Sequence, residues 1–146
     1  SLAAQLCSKV PDNMLAGKFS VPFAIATTIV HGHSGVESFL PDKIERPEIK
    51  SLASRVEVEE KPEFTQMMPS RRPSRVTVRL RDGSTFSETV YISKGDIEDP
   101  YSTDELDAKF LNLTIPIYGK RKAKEILEKT RRIETFKTLR SYTEGL

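Results

Sequence analysis

His31 and His33 are the only two histidines of the chain and flank Gly32, so imidazole chemistry could be concentrated at His31-Gly32-His33. An imidazole changes charge near neutral pH, serves as general acid or base, and ligates metals through a bare ring nitrogen. A metal site needs a third ligand, and no carboxylate is tied to this stretch by sequence. No metal is therefore expected, and a loop role in which His33 touches a substrate is the stronger reading. The pair also falls where a helix should end, and the negative end of its macrodipole favours a protonated ring.

Other polar residues read less sharply. Ser20 could be imagined as a nucleophile, but no nucleophile elbow surrounds it, and its place before Val21-Pro22 suits a helix cap. Arg75, Arg79 and Arg81 alternate with Val76, Val78 and Leu80, so a strand here carries one basic face able to hold phosphates or carboxylates. The same face would serve as a charged edge that resists aggregation. Glu59-Glu60 and Asp104-Glu105 are adjacent in sequence and splay apart rather than converge on one substrate atom. No dinucleotide, P-loop, zincin or zinc-finger spacing occurs.

These groups need elements to hold them. Phe19-Ser20-Val21-Pro22-Phe23 predicts a helix start with Ser20 as cap, Pro22 in the first turn and Phe19 folded back on the apolar side chains that follow. The helix should run to His31 and stop at a left-handed Gly32. Val21, Phe23, Ala24, Ile25, Ala26, Ile29 and Val30 cover nearly every side, the pattern of a buried helix. Upstream, a short apolar run from Leu2 to Leu6 is broken by Pro11. Pro47 opens a second helix with one apolar stripe at Ile49, Leu52, Ala53 and Val56.

Residues 55–59 and 75–81 alternate with period two and read as strands. Asp82-Gly83 marks a hairpin turn, after which Phe86, Val90 and Ile92 resume the alternation. Ser102-Thr103-Asp104-Glu105 is a capping box that launches a helix bearing Leu106, Phe110 and Leu113, with Pro116 as its end. A last long helix begins near Lys120, with Ala123, Ile126, Leu127, Thr130 and Ile133 on one side, followed by a turn bearing Phe136, Leu139 and Tyr142. Positive charge at Lys120-Arg121-Lys122 opposes the dipole of a first turn and predicts an acidic neighbour. The fold class is α+β: two layers, an antiparallel sheet of at least three strands with helices packed on one face, and C-terminal helices.

Bulk properties bound the function. A chain of 146 residues, 37% hydrophobic and 30% charged, suits one globular domain. It begins with Ser1 and shows no leader pattern, so a piece of a longer polypeptide is expected. Its longest apolar stretch, Val21 to Val30, is far short of the ~20 residues a membrane-spanning helix needs, and a membrane is not an expected partner. Cys7 is alone, which suits a reducing, cytoplasmic setting. The 23 basic and 21 acidic residues leave a charge of +2, too small by itself to point to nucleic acid. Charge is unevenly spread, with five arginines between Arg71 and Arg81. A basic nucleic-acid-binding module is accordingly a competing reading, but the strand face lacks interleaved aromatics for base stacking.

Several stretches combine into a pattern. They are Ala16-Gly17-Lys18-Phe19-Ser20-Val21-Pro22-Phe23-Ala24 leading to His31-Gly32, Pro47 to Val58, Val76 to Gly83, Lys94-Gly95-Asp96 with Asp99-Pro100-Tyr101-Ser102, and Glu105 to Phe110. In this order and spacing the chain resembles the C-terminal part of the MmgE/PrpD family over essentially its whole length. Members include 2-methylcitrate dehydratase of propionate metabolism, cis-aconitate decarboxylase and an iminodisuccinate epimerase. The resemblance implies a cofactor-free lyase of small polycarboxylates, 2-methylcitrate dehydratase-like and homodimeric, in which an all-helical domain carries most catalytic groups. Residues 1–117 would be an α+β lid over the cleft, and 118–146 would be helices packed back on the helical body. The family's upstream Lys-Pro and His-containing motif and its N-terminal aspartate and histidines have no counterpart in this sequence.

Proton removal or delivery beside a carboxylate needs a positioned base and acid, and cations to hold the carboxylates. The resemblance carries Lys18, Phe19, Ser20 and Phe23 over as this part's contribution to the pocket wall, beside His33 from the residue-level reading. Many members have Tyr where this chain has Phe23, and some have His at the place of Phe19, so a hydroxyl and an imidazole are missing. A family member that serves only in assembly is a further alternative.

Overall fold

Side-chain caps and prolines define the short helices of the first unit, which spans Ser1–Ile92. The computed structural model describes residues 2–144; Ser1, Gly145 and Leu146, the last two belonging to the predicted helical tail, lie outside them. Helix α1 (Leu2–Gln5) precedes α2 (Met14–Lys18), where the Asn13 side chain accepts from the Ala16 N–H. Helix α3 (Val21–His31) begins as its sequence predicts, with the Ser20 hydroxyl accepting from the Phe23 N–H at 3.0 Å and Pro22 in the first turn. It ends on Gly32 at φ 80°, the left-handed conformation that glycine adopts without steric cost. A 3-10 turn (Val36–Phe39) leads to α4 (Pro41–Ile44) and α5 (Pro47–Ala53), both opened by proline. A last short helix, α6 (Pro62–Thr65), precedes the strands.

The core sits where α3 packs on α5. Phe23, Ala26, Phe39, Ile44, Ile49 and Ala53 form it, with Leu52 against its edge. The Phe23 and Phe39 rings meet at 5.8 Å in a tilted arrangement. Each fully buried Phe or Ile side chain contributes about 1.5–3 kcal/mol by leaving water. Of the predicted stripe, Ile49 and Ala53 are buried and Leu52 half-buried, while Val56 lies beyond the end of α5.

Two expectations for α3 are corrected. Only one side of it is buried, through Pro22, Phe23, Ala26 and Thr27, while Thr28, Ile29 and Val30 are exposed. Its apolar content is high, but neighbours pack against a single side. Phe19 does not fold back as a staple: it is 62% exposed, because its backbone N–H closes α2 and its φ of −101° and ψ of 21° are not the extended geometry a staple needs.

Strands β1 (Ser74–Arg79) and β2 (Thr85–Val90) pair antiparallel, Val78 opposite Phe86 and Val76 opposite Glu88, with Gly83 of the connecting loop at φ 88°. The α+β class holds, but the described residues contain a two-stranded sheet, not three strands. Residues 55–59 keep their alternation in burial, with Val56 and Val58 half-buried and Arg55, Glu57 and Glu59 exposed, yet join no strand. Period two specifies which side chains turn inward; a strand also needs a hydrogen-bonded partner, which this segment lacks. The apolar side of the hairpin is uncovered too, Phe86 being 63% exposed, so helices do not cover a sheet face here.

The second unit, Ser93–Leu146, opens with a tight turn bridged between Asp96 and Asp99. Gly95 is required there: its φ is 96°, and a Cβ would lie 2.5 Å from the Tyr101 ring. Helix α7 (Thr103–Thr130) starts at Ser102 with the complete predicted capping box. Its predicted end at Pro116 is corrected. Helical residues continue past Pro116, whose ring removes an N–H and crowds the carbonyl one turn back, and the helix breaks within three residues of it. The break falls at Gly119, whose φ of 74° and ψ of 160° belong to a region that is essentially glycine's alone. Arg121 finds the predicted acidic neighbour one turn on, 2.6 Å from Glu125. A 3-10 turn (Ile133–Thr135) and α8 (Leu139–Thr143) follow, with Lys129 over the rings of Phe136 and Tyr142.

Candidate functional site

The sequence-predicted site residues separate along α3. At its N-terminal end Ser20 is buried: its hydroxyl caps the Phe23 N–H and donates to the Ser8 carbonyl, which explains the side chain without nucleophilic chemistry. Phe23 is fully buried in the core, so it supports this end from beneath. Lys18 and Phe19 are exposed just before it. His33 lies past the opposite end of the helix, about 16 Å away along the axis at ~1.5 Å per residue. The structure therefore brings Lys18, Phe19, Ser20 and Phe23 together and leaves His33 apart.

A second polar constellation gathers at that far end. The His31 Nδ1 lies 3.2 Å from Thr27 Oγ1 and 3.4 Å from Ser38 Oγ, and its Nε2 lies 3.1 Å from an Arg46 guanidinium nitrogen. A guanidinium can only donate, so the His31 Nε2 accepts and its proton sits on Nδ1, facing the two hydroxyls. For His33 the roles invert. Its Nδ1 accepts from the Gly35 N–H at 3.1 Å, which leaves its proton on Nε2, 3.8 Å from Glu37. Ser38 Oγ, itself buried, is 3.4 Å from the His33 Nδ1 as well as from His31, and so links the two rings. Arg46 is held from its other side by Glu48. The Glu48 carboxyl is kept below its ordinary range by its own backbone N–H, with the Arg46 charge and hydrogen bond adding to it against partial desolvation.

These groups border an open cavity of about 290 Å³ lined by His31, His33, Glu37, Ser38, Lys43 and Arg46. Sequence reasoning singled out the two histidines and missed Ser38 and Arg46. No local spacing ties these to the imidazoles, because the chain must turn through the 3-10 segment and α4 to bring them back. Among the described residues no group of three or more His, Cys, Asp or Glu side chains is placed to hold a metal ion. Nor is any helix of the described residues long and apolar enough to cross a membrane.

In the second unit Lys94 donates to Asp99 at 3.1 Å and stands 3.4 Å from Glu105. The Asp99 hydrogen bond leads in raising the Lys94 pKa above its ordinary value. Glu105 is held below its ordinary value mainly by the Ser102 backbone N–H. This cluster ties the turn to the start of α7.

The stretch from Ala16 to Ala24, with its buried cap and exposed Lys18, lies within a longer match. Residues 1–135 match the MmgE/PrpD C-terminal domain. This chain belongs to the MmgE/PrpD family. Among curated relatives, a cis-aconitate decarboxylase of Aspergillus terreus is 28% identical over 118 residues, covering 80% of this chain and 24% of that protein. That of Aspergillus terreus strain NIH 2624 is 29% identical over the same length and shares. The cis-aconitate decarboxylase of Mus musculus is 25% identical over 100 residues, 68% of this chain and 20% of that protein. The chain thus spans a quarter or less of the length of these MmgE/PrpD relatives.

Proposed function

We propose that the chain is the lid part of a cofactor-free lyase of the MmgE/PrpD family acting on small polycarboxylates, its active site completed by an all-helical domain of the same protein. The observation that carries this reading is apolar surface without cover in a chain matched over 1–135 to that family's C-terminal domain. Leu15 is 66% exposed, and Leu106, Leu113 and Ile117 of α7 are exposed at positions that share one side of a helix. In this reading residues 1–117 act as the lid and 118–146 pack on the helical domain, in a cytoplasmic homodimer.

Within the pocket wall Lys18 would hold a substrate carboxylate as a cation, and Phe19 would close the cleft against water. Buried Ser20 and Phe23 would fix the backbone that presents them, and His33, at the far end of α3, would contact substrate only if the cleft extends along the helix. The groups that move protons would come from the helical domain. The family resemblance favours dehydration of the 2-methylcitrate type; the names of the relatives support a second reading, decarboxylation of cis-aconitate.

The test is to assay this chain alone, and joined to the upstream helical domain, for hydration of 2-methyl-cis-aconitate and for carbon dioxide release from cis-aconitate. Turnover of one substrate by the joined protein and none by the chain alone is expected. Equal turnover by both would show that the catalytic groups lie within these residues and would sink the proposal.

A further inference from the structure

The cavity at the C-terminal end of α3 is built so that one proton changes what it can hold. Its lining carries two fixed cations, Lys43 and Arg46, against one carboxylate, Glu37, and the cations have partners behind them in Asp42 and Glu48. The His33 Nδ1 accepts from a backbone donor, the Gly35 N–H, and its Nε2 lies 3.8 Å from Glu37, beyond hydrogen-bond reach. His31 differs. Its Nδ1–H already faces Thr27 and Ser38, while the acceptor that fills its Nε2 site is used by Arg46, which donates to it at 3.1 Å.

Protonating His31 places an N–H opposite the N–H of Arg46. Two donors facing each other need an acceptor between them, and an anionic oxygen supplies one while neutralising part of the added charge. A second oxygen of the same anion then lies toward Lys43 or the His33 rim of the cavity. Proton and anion thus favour each other: the proton removes the Arg46–His31 contact, and the anion replaces it.

We propose that this cavity is a proton-coupled binding site for a small oxyanion, one that presents two or more adjacent anionic oxygens, as a phosphate or a dicarboxylate does. His31 takes up the proton, Arg46 and Lys43 supply fixed charge, and Ser38 and Thr27 hold the His31 ring by accepting from its Nδ1–H. The titratable and charged groups around His31 are His33, Glu37, Lys43, Arg46 and Glu48. The site lies at the other end of α3 from Lys18 and shares only His33 with the pocket wall of the lyase reading.

Calorimetric titration of the chain with sulfate, and separately with oxalate, tests this, since both probes are fully ionised dianions from about pH 5.5 to about pH 8, a range across which an imidazole titrates. Two buffers with different ionisation heats report proton uptake. Binding of sulfate, of oxalate or of both should weaken by about 10-fold or more between those pH values, with uptake of about one proton. A preference for sulfate points to a tetrahedral phosphate-like ligand, and one for oxalate to a planar dicarboxylate. His31→Gln should remove the pH dependence and the proton uptake. Lys43→Gln, a half-exposed rim change that leaves the core alone, should weaken binding several-fold and keep the uptake. Absence of binding at the lower pH, binding without proton uptake, or a His31→Gln protein of unchanged circular dichroism that still takes up the proton overturns the proposal.

Discussion

Helices α3 and α7 are both rich in apolar side chains and meet different fates. Over 11 residues α3 sends Phe23 and Ala26 into a shared core with α5, whereas the 28 residues of α7 bury Ala123 alone. Helix α3 has partners in the chain that follows it: the 3-10 turn, α4 and α5 contribute Phe39, Ile44, Ile49 and Ala53 to the core it joins. Among the described residues, α7 is followed by a 3-10 turn and a five-residue helix, and Leu106, Leu113 and Ile117 on it are exposed. Apolar periodicity identifies the side that must be covered, and only neighbouring chain decides whether it is.

Substitutions can break or sharpen this contrast. The largest effect is expected from Phe23→Ala, which opens a cavity under Phe39 and should cost about 3–5 kcal/mol of stability in denaturant titrations, unfolding the first unit outright if its margin is small. Gly119→Ala forces a Cβ into a backbone region that disfavours it, and about 1–3 kcal/mol is expected to be lost, or the break to straighten, visible as a gain in helical circular dichroism. Ser20→Ala removes the buried cap of α3 and should cost about 1 kcal/mol, read from the urea midpoint. Ile117→Ser, at a side chain already 72% exposed, should shift the midpoint of the isolated chain by less than about 0.5 kcal/mol. The same substitution should weaken association once the helical domain is supplied. If Ile117→Ser destabilises the isolated chain as strongly as Phe23→Ala, the contrast between the two helices is wrong.

The smallest effect is pH-dependent. Glu105 has a folded pKa below its ordinary 4.5, so its stabilisation of the α7 start is complete above that value and is lost as pH falls through the folded value. Lys94 has a folded pKa above its ordinary 10.5, so its contribution is complete below 10.5 and is lost as pH rises through the folded value. Helicity of α7 should therefore decline slightly at both extremes, and Glu105→Gln should flatten the acid side.

Local chemistry was legible in the sequence wherever a residue acts on its near neighbours. The Ser20 cap, the Gly32 stop, the Pro47 start, the Ser102–Glu105 capping box and the Gly83 turn all follow from spacings of four residues or fewer. So did the family, because its marks are short stretches in a fixed order. Misreadings arose where the outcome depends on distant chain. Residues 55–59 alternate like a strand but have no strand partner, Phe19 is diverted by the end of α2, and the break expected at Pro116 falls three residues later, at Gly119. The site divides along the same line. Two histidines two residues apart were visible from the start, but the tautomer of each is set by Arg46, Gly35 and Ser38, and no rule of spacing connects Arg46 to His31. Composition and local pattern determined which segments become helices and where they are capped, since those energies act within a turn. Which side of each helix is covered, and which nitrogen of each imidazole is bare, was decided by tertiary structure, since burial and hydrogen-bond pairing depend on whatever chain happens to return to that point.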